Sequence, residues 1–242
     1  MALLEVNNIT KKFGGLVAVK DFSVTVNEAQ IKALIGPNGA GKTTAFNCIA
    51  GFYQANEGQV IFNGKNITKM RPDQICNMGL VRTFQVVRPF RGISVLDNVM
   101  VGAFARTNDK KVAREKAEQV LGFFGMMDMA KRQAAGLPIG TRKRLEIARA
   151  LATEPQIVLL DEAMAGLRPA ETDLVIAMVR KMAEEKGIAI LLVEHVMKVV
   201  MALAEEVIVL HHGEKIAEGY PKDVVSDPQV VEAYLGEAYV ES

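Results

Sequence analysis

The sequence predicts an α/β fold with a mostly parallel core sheet, an N-terminal antiparallel β subdomain and an inserted helical subdomain. Apolar runs at residues 31–35, 157–160 and 188–193 are typical of parallel strands buried on both faces. Residues 22–26 alternate apolar with polar, as a half-buried antiparallel strand does. Between residues 94 and 153 the composition and period become helical.

Turn and capping signals place the remaining elements. Gly58 and Gly64 bracket a short strand, Pro72 lies early in a helix, and Gly213 turns a hairpin. The predicted strands span residues 3–9, 59–62, 81–84, 207–210 and 215–218, and the helices span 44–50, 109–123, 143–153 and 169–186, with a last short helix opening at Asp227-Pro228. Ser94 and Asp97 form a capping box before the helical segment.

Length and composition limit the classes of protein. A chain of 242 residues buries one sizeable core, so we expect a single domain over residues 1–242. With 29 Lys and Arg against 28 Asp and Glu, nothing favours nucleic acid as a partner. Cys48 and Cys76 lack metal-ligand spacing and are interpreted as small buried residues in a reducing compartment. The sequence shows no signal peptide and no apolar run of the ~20 residues that a membrane helix needs, which predicts a soluble, cytoplasmic chain unless another protein holds it at a membrane.

The most specific motif lies between the strand at 31–35 and the helix at 44–50. It fits G-x-x-x-x-G-K-[ST] and consists of Gly36, Pro37, Asn38, Gly39, Ala40, Gly41, Lys42 and Thr43, followed by Thr44. Glycines let successive backbone N–H groups point at one anion, and the helix that follows presents its positive end to the same charge. Lys42 is predicted to reach the β and γ phosphates and the Thr43 hydroxyl to be a Mg²⁺ ligand, so the loop predicts binding of a nucleoside triphosphate.

Four further positions are candidates for the same site. Asp161 and Glu162 follow a buried strand directly, which puts two carboxylates at the ligand-binding end of the sheet, and His195 follows the next strand. Asp161 is predicted to hold Mg²⁺ through water and Glu162 to polarise the attacking water. Gln85 ends a predicted strand and is either a solvated side chain or a ligand of Mg²⁺ or water. His195 is either structural or part of the site.

Two features have competing interpretations. Phe13 is either ordinary core or a flat face that stacks on an adenine base. Arg142-Lys143-Arg144 is interpreted as a solvated helix face.

The order of these motifs resembles that of ABC-transporter ATPase subunits over essentially the whole chain. The matching segments are Phe13, the loop at 36–43, Gln85, Leu145-Glu146-Ile147-Ala148-Arg149-Ala150-Leu151, Asp161-Glu162, Ala165-Gly166-Leu167 and His195. Segments 13–19, 79–85 and 233–238 most resemble the branched-chain amino-acid uptake ATPases, and the lipopolysaccharide-export ATPases are the nearest alternative.

The resemblance implies a P-loop NTPase domain of the ABC type with a RecA-like core lobe at 1–85 and 156–242 and a helical lobe at 86–155. It implies that two such subunits, identical or different, sandwich ATP and hydrolyse it to drive a separate membrane permease that an external solute-binding protein supplies. The chain would then lie peripherally on the cytoplasmic face of the inner membrane. The implied site residues are Phe13 at the base, Gln85 and Asp161 at Mg²⁺, Glu162 as general base, His195 at the γ-phosphate, and Gly140 and Thr141 at the nucleotide held by the other subunit.

Three positions depart from the family pattern. The signature loop, usually Leu-Ser-Gly-Gly-Gln, is here residues 137–141, with Pro138 in place of the serine. Proline also lacks an N–H group, so phosphate would meet the amides of Gly140 and Thr141. Ala163 replaces a common proline and Arg168 a common Asp or Asn.

Two other classes of function fit the sequence less well. A non-transport ABC protein acting on ribosomes or DNA normally has paired domains or a long coiled-coil insertion. A small-molecule kinase has no reason to carry the 145–151 segment or His195. The single uninterrupted domain therefore favours a transport ATPase.

Overall fold

The computed structural model describes residues 2–86 and 88–238. The strands are β1 (Ala2–Phe13), β2 (Leu16–Asn27), β3 (Ile31–Ile35), β4 (Glu57–Phe62), β5 (Lys65–Asn66), β6 (Leu80–Arg82), β7 (Ile157–Asp161), β8 (Ala189–Val193), β9 (Glu206–His211) and β10 (Glu214–Gly219). The α-helices are α1 (Lys42–Ile49), α2 (Pro72–Met78), α3 (Val95–Ala103), α4 (Lys110–Phe123), α5 (Ile139–Leu151), α6 (Pro169–Lys186), α7 (Met197–Leu203), α8 (Pro221–Val224) and α9 (Pro228–Ala238).

The central sheet has six strands in the order β10-β9-β3-β8-β7-β6. Neighbours from β9 to β6 pair in parallel, and β10 pairs antiparallel with β9. Val158 and Leu160 belong to one hydrophobic cluster, whereas Ile157 and Leu159 belong to a second, because successive side chains of a strand point to opposite faces. The sheet is therefore buried on both faces, as the continuous apolar runs predict.

A second, antiparallel sheet has the order β2-β1-β4-β5. Its buried residues Phe22, Val24 and Phe62 share a hydrophobic cluster with Phe46 of α1. Helix α1 therefore packs into the core between the two sheets. The α/β class, the mostly parallel sheet and the N-terminal antiparallel sheet are confirmed.

The segment between β6 and β7 is helical. It contains α3, α4 and α5 with 3₁₀ turns at Met127–Met129 and Ala134–Gly136, and its described residues add only a bridge between Ser94 and Gln133. Ser94 caps α3, its Oγ accepting a hydrogen bond from the Asp97 amide at 3.0 Å. Asp109 caps α4 in the same way. This is the segment that the sequence predicts as an inserted helical subdomain.

Several predicted boundaries are wrong, including the start of β2, which is Leu16 rather than residue 22. Strand β1 continues past residue 9 to Phe13, because its far end pairs with the start of β2 at Leu16. Strand β6 ends at Arg82 rather than at residue 84, since the Phe84 amide donates to the Glu146 side chain at 3.1 Å instead of to a strand. Gln85 therefore lies in a loop.

Helix α5 begins at Ile139, four residues before the predicted residue 143. Pro138 precedes it, and the Pro138 carbonyl accepts from the Arg142 amide at 2.9 Å. A proline before the first turn loses no helical hydrogen bond, because the first N–H groups of a helix have no partner inside it.

Two other expectations concern membrane-spanning helices and the burial of the cysteines. Among the described residues, no helix is both long and apolar enough to cross a membrane. Cys48 is buried, and burial raises the pKa of its thiol to about 11; Cys76 is only partly buried, which corrects the interpretation of it as a buried residue.

Helices α3 and α5 pack tightly at Gly102, where an added Cβ would lie 2.2 Å from the Arg149 carbonyl oxygen. We expect Gly102→Ala to push the helices apart and lower the free energy of unfolding by about 1–3 kcal/mol. Gly122→Ala in α4 is the matched control, because nothing lies within 4 Å of its added Cβ; it should raise stability by up to about 1 kcal/mol. Urea unfolding measures both, and equal effects would contradict the close contact.

Candidate functional site

The phosphate loop joins β3 to α1 and is fixed by its own lysine. Lys42 Nζ donates to the carbonyl oxygens of Gly36 and Pro37, each at 2.6 Å. The Gly213 amide, in the turn between β9 and β10, donates to the Ala40 carbonyl at 2.9 Å. The loop is therefore held both across itself and from the neighbouring turn.

Two of the loop glycines have no room for a side chain. Gly36 has φ 148°, and an added Cβ would lie 2.0 Å from the Leu210 carbonyl oxygen. Gly41 has φ 101°, and its Cβ would lie 2.4 Å from the Ala18 carbonyl oxygen. These positive φ values and close approaches are open to glycine alone.

A cavity opens over this loop, which we call the loop cavity. Its walls come from the loop, from the start of β2 and from two distant side chains that the sequence predicts for the site, Gln85 and Glu162. The lining residues are Phe13, Leu16, Val17, Ala18, Asn38, Gly39, Ala40, Gly41, Lys42, Thr43, Thr44, Gln85, Glu162 and His212. Gly36 and Pro37 are not among them, since their carbonyls face Lys42.

Phe13 lies at the edge of the loop cavity. Its side chain is 42% exposed, so the interpretation of Phe13 as ordinary core is wrong. Its ring meets Tyr53 edge-on at 5.3 Å, and Lys11 Nζ lies 4.9 Å from the ring centroid. An exposed aromatic face beside a phosphate loop suits a planar base.

Gln85 and Glu162 are in direct contact. Gln85 Nε2 donates to Glu162 Oε2 at 2.6 Å, although Gln85 lies outside a strand. Glu162 has φ 49°, and its amide donates to the Val193 carbonyl at 2.9 Å, which fixes the residue at the end of β8. The structure thus brings together two of the predicted side chains at the mouth of the loop cavity.

Asp161 ends β7 and is buried in an ion pair. Its Oδ2 accepts from Arg82 at 2.7 Å, and within the part of the chain that the structure describes its Oδ1 is buried without a hydrogen-bond partner. Asp161 lines a second cavity of about 690 Å³, which Thr43 and Gln85 also line. We call it the interlobe cavity, because it lies between the phosphate loop and helices α3 and α5.

Lys143 corrects the interpretation of Arg142-Lys143-Arg144 as a solvated face. Its side chain is buried, and its Nζ donates to the carbonyl oxygens of Glu162 at 2.9 Å and Ala165 at 2.7 Å. Burial lowers the pKa of Lys143, against the opposing influence of Glu194 and Glu146. Helix α5 is therefore attached to the segment that follows Glu162.

Two buried carboxyl groups surround this attachment. Glu146 accepts from the Phe84 amide, and Glu194 accepts from the Met164 amide at 2.9 Å. Burial raises the pKa of both carboxyl groups. These residues fix the loops that carry Gln85 and Glu162.

The structure places other predicted residues apart from the loop cavity. His195 is exposed and is absent from the described residues that line the loop and interlobe cavities. Gly140 and Thr141 lie in the first turn of α5. Gly140 is buried against the Glu171 carboxylate, because a Cβ added at Gly140 would lie 2.6 Å from Glu171 Oε1. Arg168 pairs with that same carboxylate at 3.2 Å. Arg168 thus offsets the negative charge beside the signature loop.

Sequence reasoning missed three residues of the site. Arg82 and Lys143 contact the segment at 161–165 from 79 and 19 positions away, and His212 lines the loop cavity. The only sequence signal for Arg82 is its place three residues before Gln85, inside the segment 79–85 that resembles the branched-chain amino-acid uptake ATPases.

A glycine loop closed by a lysine at a helix start, with a glutamine and a glutamate at its cavity, defines a nucleotide-binding P-loop protein. The family described as ABC transporter matches residues 19–165. The family described as branched-chain amino acid ATP-binding cassette transporter matches residues 214–240.

Known proteins match nearly the full chain. The high-affinity branched-chain amino acid transport ATP-binding protein BraF of Pseudomonas aeruginosa is 39% identical, with 98% of each chain covered. The ADP conformation of MJ1267, an ATP-binding cassette of an ABC transporter, superposes with a TM-score of 0.89 at 35% identity, covering 98% of this chain and 99% of that one. The dimeric structure of MJ0796, a bacterial ABC transporter cassette, has a TM-score of 0.80 at 25% identity, covering 90% and 98%.

The chain belongs to the ABC transporter family, as an ATP-binding subunit that hydrolyses ATP. The full-length match excludes an unrelated kinase.

Proposed function

We propose that this chain hydrolyses MgATP at a subunit interface to drive uptake of branched-chain amino acids through a separate permease. The observation that carries the ATPase site is the contact of Gln85 with Glu162 over the loop of Lys42 and Thr43. The match of residues 214–240 to the branched-chain family and the name of BraF support the solute class. Neither favours the lipopolysaccharide-export alternative or a non-transport role.

The proposal assigns a role to each predicted site residue. The loop amides and Lys42 bind the phosphates, Phe13 stacks on the adenine, and Glu162 accepts a proton from the attacking water that Gln85 orients. His195, exposed just beyond β8, contacts the γ-phosphate when two subunits close on ATP. Gly140 and Thr141, away from the loop cavity, meet the nucleotide of the other subunit.

Mg²⁺ fits the residues at the interlobe cavity. The buried Asp161 Oδ1 has no protein partner among the described residues, and Thr43 lines the same cavity. Carboxylate and hydroxyl oxygens with phosphate oxygens and water are the ligands that Mg²⁺ takes, so Thr43, Gln85 and Asp161 would hold it. When bound, the ion neutralises charge on the phosphates; this chain's residues bind the nucleotide and take the proton from water.

The permease would dock at the interlobe cavity. Its rim exposes the apolar side chains of Phe84, Val86, Phe90 and Val101, each at least 40% exposed. An apolar surface rimmed by arginines is typical of a protein contact. Docking there would place the chain peripherally on the cytoplasmic face of the inner membrane, with the external solute-binding protein acting through the permease.

Lys42→Ala tests the phosphate site. Removing a charge-assisted contact should weaken MgATP binding by about 1.5–3 kcal/mol. Titration calorimetry measures it, with Lys20→Ala as control because Lys20 pairs on the surface with Glu214. Unchanged MgATP affinity would contradict the assignment of Lys42.

Glu162→Gln tests the general base. The variant keeps an acceptor for Gln85 but cannot take a proton, so turnover should fall by about 10² to 10⁴. It should still bind ATP and accumulate as a closed dimer, which size-exclusion chromatography with ATP detects. Glu185→Gln, an exposed change on α6, is the control; near-normal turnover in Glu162→Gln would transfer the role to His195.

Pro138→Ser tests whether the altered signature loop weakens the ATP site that it faces. If it does, pairing with a different ATPase subunit that has a complete signature loop would give one strong and one weak ATP site. A serine hydroxyl restores a hydrogen bond to the γ-phosphate, about 1.5–3 kcal/mol for a charged acceptor. We expect tighter ATP-dependent dimerisation of the isolated subunit, measured by sedimentation, together with faster turnover. A gain in neither quantity would mean that the Gly140 and Thr141 amides suffice and that a different ATPase subunit is not required.

A further inference from the structure

Arg82 is almost completely buried in a polar cluster at the wall of the interlobe cavity. Its side chain is 5% exposed and that of Asp161 is 1% exposed. One guanidinium nitrogen donates to Asp161 Oδ2 at 2.7 Å and another to Asn47 Oδ1. The guanidinium therefore joins the end of β7 to the last turn of α1, the helix that begins with Lys42.

Two aromatic rings close over the guanidinium. Its carbon lies 5.7 Å from the ring centroid of Phe52 and 5.4 Å from that of Phe84, and the two rings meet edge-on at 5.5 Å. Both residues are nearly half exposed. The rings limit how far the guanidinium can move, since a cation is attracted to an aromatic face.

Asn47 is itself anchored. Its carbonyl oxygen accepts the amides of Phe52 at 2.8 Å and Tyr53 at 3.0 Å. Asn47, which accepts from Arg82, and Phe52, whose ring covers Arg82, are thus joined within one hydrogen-bonded turn. These contacts hold the guanidinium against Asp161.

We infer that Arg82 is a positioning residue for Mg²⁺: by holding Asp161 Oδ2, it directs Oδ1 toward the metal. The inference rests on the proposed function, in which Asp161 belongs to the metal site. Partners of metal-binding carboxylates orient the ligand, and their loss commonly lowers metal affinity 10-fold to 100-fold.

If Arg82 only neutralised the charge of Asp161, the contacts with Asn47 and the two rings would not be needed. A lysine would neutralise Asp161 as well, but its single ammonium lacks the planar fork that reaches Asn47 and Asp161 together. Removing the cation would strengthen metal binding if charge repulsion dominated. The two roles therefore predict opposite results.

The experiment measures ATP affinity with Mg²⁺ and with EDTA, using calorimetry on the full chain. The ratio of the two affinities, the Mg²⁺ gain, is the readout, and Mn²⁺ binding in the presence of ATP by electron paramagnetic resonance checks it independently of turnover. Arg82→Met should lower the gain 10-fold to 100-fold while affinity in EDTA changes less than about threefold. Lys32→Met is the matched control, since Lys32 is equally buried in an ion pair with Glu206 away from the site, and it should leave the gain unchanged.

Arg82→Lys and Asn47→Ala keep the positive charge and so remain informative if Arg82→Met does not fold. Each should lower the gain about tenfold, because the orientation is lost while the charge stays. Phe52→Ala alone should also lower the Mg²⁺ gain. Added to Arg82→Lys, it should lower the gain no further, as expected for residues that act through one another.

An unchanged gain in Arg82→Lys and Asn47→Ala would overturn the positioning role, and so would a larger gain in Arg82→Met. A wild-type protein that binds ATP without any Mg²⁺ gain would instead overturn the metal site of the proposed function. The two failures are therefore distinguishable.

Discussion

The phosphate loop packs tightly against the rest of the chain, and the geometry of the site depends on that packing. Gly36 and Gly41 bring the backbone against carbonyl oxygens of β9 and β2, where a methyl group would lie at 2.0 and 2.4 Å. Lys42 then bridges the loop through two carbonyls. Because α1 starts at Lys42, this geometry fixes the helix that carries Asn47 and packs between the two sheets.

The elements that the sequence predicts best are those with local signals at both ends. Helix α6 has the predicted bounds, since Pro169 stands in its first turn and Gly187 follows it at φ 65°. Strand β3 also has its predicted bounds. The boundaries that differ depend on partners distant in sequence: β6 ends where Glu146 of α5 takes the Phe84 amide. Periodicity along the chain carries no information about such a contact.

The same distinction separates the predicted and the missed residues of the site. The phosphate loop has a contiguous motif, and Asp161 and Glu162 follow a strand that is visible as an apolar run. Lys143 looked like part of a charged surface because its neighbours are arginines; its burial follows from the carbonyls of Glu162 and Ala165, which only the fold brings near. Arg168, a departure from the family pattern, has a structural partner in Glu171 beside Gly140.

The attachment of Lys143 has a mechanical consequence. Lys143 is four positions after Ile139, so the start of α5 lies only about 6 Å along the helix axis from this fixed point. Pivoting α5 by roughly 10° about Lys143 would move its first residue by about 1 Å, because the lever arm is one helical turn long. Larger displacements of residues 139–141 therefore require the segment after Glu162 to travel with the helix.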